Sequence, residues 1–153
     1  MRNPKLAMLA AVVAGPLGAA AIAESAVAAE KTFSSSMSGR QEVPAMGDRN
    51  GRGTARITTD AARCRVCFRI NLTRVGTVTA GHIHRGRKGK AGPVVVALFG
   101  EATRKPRGCV RGVEKRTIRR IERNPGAYYV NLHNQRYPDG AVRVQLREQG
   151  TSY

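Results

Sequence analysis

The sequence predicts an all-β protein, an antiparallel Greek-key β-sandwich with one short helix. Short runs of alternating or β-branched residues recur along the chain, turn-forming residues separate them, and almost no helical pattern is present. A length of 153 residues suits one domain, and a 41% apolar fraction can supply one core. No repeat of roughly 20–50 residues is visible, so a solenoid or a propeller is not indicated.

Seven strands are predicted, an opening strand followed by three hairpins. In the second strand Ala55 and Ile57 alternate with threonine and arginine, as expected where one face is buried. Turn-forming residues join the partners of each hairpin at 60–62, in the Gly- and Lys-rich segment 85–92, and at 137–140. The predicted strands are 31–38, 53–59, 63–72, 78–84, 94–99, 127–133 and 140–147.

The short helix is expected at 117–123. Thr117 is a suitable N-cap, and Ile118 and Ile121 are spaced to share one face. The dipeptide Pro125-Gly126 then ends the helix.

Residues 1–28 are expected to be a signal peptide. Arg2 and Lys5 precede an apolar run at 6–23, and Ala26-Val27-Ala28 forms a cleavage motif. A retained membrane anchor is the alternative, but glycine and proline interrupt the apolar run. We therefore predict cleavage after Ala28, a mature domain at 29–153 without a transmembrane segment, and a secreted or periplasmic location.

The chain is strongly basic, with 27 Lys and Arg against 10 Asp and Glu and a formal net charge of +17. Such a charge attracts anionic envelope polymers, acidic lipid headgroups, polysaccharide or DNA. The alternative is a solvated basic face without a partner. No helix-turn-helix or zinc finger is present, so sequence-specific nucleic-acid binding is not expected. The predicted polyanion-binding residues are Arg56, Arg63, Arg65, Arg69, Arg85, Arg87, Lys88, Lys90, Arg116, Arg119 and Arg120.

The three cysteines, Cys64, Cys67 and Cys109, allow at most one internal disulfide. Cys64 and Cys67 are three apart in a predicted strand and so point to opposite faces, which argues against a shared metal or a local redox pair. We predict a Cys67–Cys109 bond, which would persist in an exported protein, and expect Cys64 to be a small buried residue.

Five segments together resemble the chordin-type (CHRD) domain. Their order and spacing cover residues 31–148, with one departure: Val144 stands where the family usually has glycine. The resemblance implies an extracellular β-sandwich, and in chordin such domains accompany growth-factor-binding modules. It assigns no activity. The segments are MSGRQEVP at 37–44, GHIHRG at 81–86, GPVVV at 92–96, YYVNLH at 128–133 and YPDGAVRVQL at 137–146.

All three histidines fall within these segments. His82 and His84 project from the same face of one strand, and His133 ends another, a set that suits copper or zinc. The layout is similar to that of the copper–zinc superoxide dismutases, which are also Greek-key sandwiches. That resemblance implies a mononuclear copper site at these histidines, since no bridging histidine is present, with Arg143 guiding an anion. Histidines that merely hydrogen-bond loops together are the alternative.

Motifs of hydrolases, metalloproteases and nucleotide-binding proteins are absent, and the acidic residues are scattered. We therefore expect a protein that is not an enzyme: a secreted or envelope-associated binding module with a basic surface and no certain cofactor. The second hypothesis is a copper-binding protein that resembles superoxide dismutase.

Overall fold

The computed structural model describes residues 29–148, so the predicted signal peptide at 1–28 lies outside the described residues. Eight strands and one α-helix, α1, form this part, with 3-10 turns at Gly39–Gln41 and Pro125–Ala127. The elements are β1 (Lys31–Ser38), β2 (Arg52–Asp60), β3 (Arg65–Thr73), β4 (Ala80–Arg85), β5 (Val94–Phe99), β6 (Arg107–Arg111), α1 (Lys115–Arg123), β7 (Tyr128–His133) and β8 (Val142–Gln145).

The strands form one antiparallel sheet in the order β5-β4-β7-β8-β1-β2-β3-β6. A single pairing, Ser38 with Arg143, joins β1 to β8, so the sheet divides there into two four-stranded halves. Phe68 of β3 stacks on Phe99 of β5 with ring centroids 5.6 Å apart, which shows that the halves face each other. The β3–β4 and β5–β6 connections cross between the halves in a Greek-key path. The predicted all-β sandwich is confirmed.

The core lies between the two halves and is built from alternate residues of their strands. In β2, for example, Ala55 and Ile57 are buried while Thr54 and Arg56 are exposed. The helix adds Ile118 and Ile121, which are fully buried as their spacing predicts. Val144 is also buried, so the core accommodates a side chain where the family usually has glycine.

Two local predictions are wrong at the helix and before it. The helix begins at Lys115, with Glu114 rather than Thr117 at the N-cap. The Thr117 hydroxyl instead donates to the Glu114 carboxylate at 3.2 Å. Strand β6 was not predicted, because Val110 is the one large apolar residue in its five and no alternating pattern is visible.

The disulfide between Cys67 and Cys109 is confirmed. The two residues are directly opposite each other in the pairing of β3 with β6. Cys64 does not belong to the strand: β3 begins at Arg65, and Cys64 lies half-buried in the preceding turn with a φ of 51°. Its expected place in the core is therefore wrong.

Other boundaries shift by a few residues. Val78 precedes β4 and forms an isolated bridge with Thr103, while β8 is limited to Val142–Gln145. Among residues 29–148, no helix has the length and apolar character needed to cross a bilayer.

Candidate metal centre

The fold brings the three histidines together on the outer face of the β4–β7 pair. His82 and His84 alternate with the buried Gly81 and Ile83, so both rings point away from the core. Ala80 pairs with His133 in the β4–β7 register, which places the third ring at the same end. One ring nitrogen from each histidine lies within 4.8 Å of the others, and all three residues are half-buried.

His84 is held in one tautomer by the β4–β5 turn. Its Nδ1–H donates to the Gly92 carbonyl at 2.9 Å, because a carbonyl can only accept. The lone pair of the neutral ring is therefore on Nε2, which is buried and has no hydrogen-bond partner among the described residues. A histidine that donates one nitrogen to a backbone carbonyl and leaves the other free is typical of metal ligands.

His133 is oriented in the same way by the turn before β8. Its Nδ1–H donates to the Pro138 carbonyl at 2.7 Å, which leaves the Nε2 lone pair free. His82 Nδ1 lies 3.1 Å from that Nε2 and donates to it when both rings are neutral. Transfer of the His82 proton to its own Nε2 would direct lone pairs from all three rings into the same space.

The distances suit one ion after a small adjustment. Two nitrogens bound at about 2.05 Å and 3.1 Å apart subtend about 100° at a metal, which lies between the square-planar angle that suits Cu(II) and the tetrahedral angle that suits zinc. Nitrogens on a common ion cannot be separated by more than about 4.1 Å. The widest pair, within 4.8 Å, must therefore close by about 1 Å before all three nitrogens can bind one ion.

The surroundings of His82 and His84 lower the pKa of both rings. Burial is the main cause that lowers the pKa of His82, and the neighbouring His133 and His84 lower it further. Burial also lowers the pKa of His84, although the hydrogen bond to the Gly92 carbonyl and, more weakly, the neighbouring Asn131 side chain act in the opposite direction. The contact with Asn131 does not meet hydrogen-bond geometry, since both the His84 Nε2 and the Asn131 Oδ1 are without a partner in the part of the chain that the structure describes. Because a metal binds the neutral imidazole, both shifts favour binding near neutral pH.

Arg143 lies beside this cluster but is not exposed at its entrance. The residue is 2% exposed, and its Nη2 donates to the Arg87 and Lys90 carbonyls at 3.0 and 2.9 Å. The guanidinium carbon is 3.4 Å from the centre of the Tyr129 ring, and the other face of that ring stacks on His84 at 4.8 Å. Arg143 therefore fixes the 85–92 turn over Tyr129; its role as an anion guide stays a prediction.

The buried carboxyl group of Glu42 is connected to the histidine face of the sheet through Asn131. Asn131 Nδ2 donates to both oxygens of Glu42, at 2.9 and 3.0 Å, and Asn131 pairs with His82 across β7 and β4. Burial raises the pKa of Glu42 from 4.5 to about 7, against the opposing effects of the Asn131 hydrogen bond and the Arg143 charge. Gly140 closes over this pair, because a Cβ there would lie 2.7 Å from the carboxyl carbon.

The predicted polyanion-binding residues are spread over the surface rather than gathered at the histidines. All are exposed except Arg65, which is half-buried. Arg63 and Arg65 form ion pairs with Asp60, Arg65 also pairs with Glu30, and Arg116 lies 4.0 Å from Glu114. The others form no salt bridge with the described residues.

Tyr129 and Asn131 alternate with His133 along β7, so the sequence pattern already places them on the face of His133. Gln145 was not predicted, although it follows Arg143 at the same interval along β8 and so faces the same side. Gln145 Nε2 donates to the Gly86, Gly126 and Tyr128 carbonyls and so ties three segments together.

Comparison with known proteins gives one match. The CHRD domain family matches residues 33–146, from within β1 to just beyond β8. Neither a search of curated proteins nor one of solved structures gave a match. Because the family match covers most of the sequence and all eight strands, the chain belongs to the CHRD domain family.

Proposed function

We propose that this CHRD-domain protein is exported and binds one copper ion through His82, His84 and His133. The proposal is carried by the clustering of the three histidines, one ring nitrogen of each lying within 4.8 Å of the others, together with the buried Nε2 of His84, which has no hydrogen-bond partner among the described residues. A buried nitrogen without a hydrogen bond is costly unless something binds it. The apolar N-terminal segment with its predicted cleavage motif and the Cys67–Cys109 disulfide support export.

Copper is favoured over zinc by the donor set. Three neutral imidazoles suit both ions, but affinity for such ligands rises to a maximum at Cu(II) along the divalent series. Three protein ligands leave a position for water or a small molecule, as in catalytic rather than structural sites. Bound copper would supply one-electron chemistry, and superoxide is the substrate that the similarity to the dismutases suggests. An anion could reach Arg143 only if the 85–92 turn moved.

Copper titration of the mature chain tests this proposal. Protein prepared without exposure to nickel should bind one Cu(II) per chain in competition with a chelator, with nitrogen couplings in its electron paramagnetic resonance spectrum. His84→Ala should weaken binding about 100-fold or more, since loss of even an outer-shell partner costs 10–100-fold. Arg85→Ala is the matched control: it is an exposed neighbour on the same strand and should keep the one-to-one stoichiometry.

Two results would reject the copper site. Binding unchanged in His84→Ala would place the metal elsewhere. If the wild-type chain did not bind copper, the three histidines would have only a structural role: they would connect β4 and β7 to their loops through hydrogen bonds to the Gly92 and Pro138 carbonyls.

A second proposed role, non-catalytic binding of anionic polymers at the cell envelope, rests on the basic surface. Eight of the eleven predicted cations form no salt bridge with the described residues, so their charge is free to attract a partner. Retention on an anionic matrix should fall steeply between low and physiological salt, since such binding releases counterions.

A further inference from the structure

One part of the basic surface differs from the rest, because its cations are aligned. Arg56 of β2 is directly opposite Arg69 of β3, and Arg69 is directly opposite Arg107 of β6. All three are exposed, and none forms a salt bridge with a residue in the range 29–148. We call Arg56, Arg69 and Arg107 the arginine row.

An arrangement of this kind opposes folding unless an anion is present. Like charges directly opposite each other on neighbouring strands are destabilising. Strands lie about 4.8 Å apart, so the Cα atoms of the three arginines lie along about 10 Å. Sequence patterning could place Arg56 and Arg69 on the outer face, but only the register of β3 with β6 adds Arg107 to the same line.

The arginine row lies in a cleft of about 730 Å³ that contains no acidic side chain. Hydroxyl and amide groups from Ser34, Thr54, Thr58 and Asn71 line the same cleft, and the Cys67–Cys109 disulfide lies beside them. A neighbouring depression shares Arg69 and Arg107 and extends the basic surface towards Arg104 and Lys105. The cleft thus combines fixed cations with neutral hydrogen-bonding groups.

We infer that this cleft binds an acidic polysaccharide, with the arginine row pairing successive carboxylate or sulfate groups. The inference rests on the proposed binding of anionic polymers and assigns it a place and a partner class. Guanidinium groups suit these anions because they donate two parallel hydrogen bonds to them. The surrounding hydroxyl and amide groups match the hydroxyl-rich body of a sugar chain.

Nucleic acid and membrane surfaces fit the cleft less well. Phe68 is the only aromatic residue in its lining and is 7% exposed, so bases have no stacking platform. A concave sheet face does not project an element into a DNA groove. Met46 and Val94 are the exposed large hydrophobic residues of the described region, and neither lines the cleft, so no apolar anchor for a bilayer is present there.

The test compares two variants of the mature chain that lose the same charge. Arg56→Gln/Arg69→Gln/Arg107→Gln removes the row, whereas the control variant Arg49→Gln/Lys115→Gln/Arg123→Gln removes three exposed cations outside the cleft that are not among the predicted polyanion-binding residues. Affinity for a labelled heparin oligosaccharide is measured from low to physiological salt. The row variant should bind about 100-fold more weakly and lose about two to three units of salt slope, and the control variant should change less than about threefold.

The remaining outcomes separate this inference from the proposals on which it stands. If heparin binding weakened equally in both variants, the cleft would not be the binding site, although the basic surface as a whole could still bind anionic polymers. If the wild-type chain did not bind heparin, both the cleft and the proposed polymer binding would be rejected. A DNA duplex bound as tightly as the oligosaccharide, and equally dependent on the row, would overturn the partner class. A melting temperature of the row variant at or above that of the wild type shows that lost binding is not lost folding. His84→Ala should bind heparin normally.

Discussion

The buried carboxyl of Glu42 provides a direct test of the electrostatics around the histidine cluster. Its oxygens accept two hydrogen bonds from Asn131, and burial raises its pKa from 4.5 to about 7. Glu42→Gln keeps the shape and an acceptor oxygen for Asn131 but removes the charge. The variant therefore reports what ionisation of this group costs the folded protein.

The direction in which pH changes the free energy of unfolding follows from the difference between the Glu42 pKa values in the folded and unfolded chain. Below about pH 4.5 the carboxyl is protonated in both the folded and the unfolded chain, so it makes no pH-dependent contribution. As the pH rises from 4.5 to about 7, the unfolded chain releases the proton first and the folded state loses stability. The difference between these pKa values, at about 1.4 kcal/mol for each unit, corresponds to about 3 kcal/mol above pH 7.

Urea unfolding at several pH values measures this cost. The free energy of unfolding of Glu42→Gln should exceed that of the wild type by about 3 kcal/mol at pH 8 and by almost nothing at pH 4. Glu101→Gln, which removes one exposed carboxylate, should follow the wild-type curve. A difference between Glu42→Gln and wild type that stays constant across this range would refute the reasoning, because it would mean that Arg143 offsets the burial of the charge.

Two further predictions concern the scaffold. Cys67→Ser/Cys109→Ser should lower the free energy of unfolding by about 4 kcal/mol, since the bond closes a sequence separation of 42 residues; a denaturant midpoint equal to that of the oxidised wild type would contradict this. Val144→Gly should cost about 3 kcal/mol in the same assay, because Val144 is 2% exposed and glycine weakens a strand; a neutral effect would mean that the core closes around the family's usual residue.

The histidine site was only partly predictable from sequence. The alternation His82-x-His84 fixes two rings on one face of a strand, and the strand ending at His133 is a natural partner. The sequence does not predict which ring nitrogen of His84 and His133 carries the lone pair. That depends on hydrogen bonds to the Gly92 and Pro138 carbonyls, which belong to turns whose positions no local pattern specifies.

Local sequence patterns are sufficient for the all-β class and for the buried positions Ile118 and Ile121 of the helix, because side-chain periodicity is a local property. The Cys67–Cys109 pair was predicted correctly, although Cys64 does not lie in the strand as that prediction assumed. The hairpins β2–β3, β4–β5 and β7–β8 were predicted from their turns, but only the folded structure shows how these hairpins, β1 and β6 lie beside one another. Strand β6 carries too little apolar signal to be recognised, and its pairing with β3 places Arg107 in line with Arg69. Register between strands distant in sequence depends on packing across the whole core, so the arginine row became visible only in the folded chain.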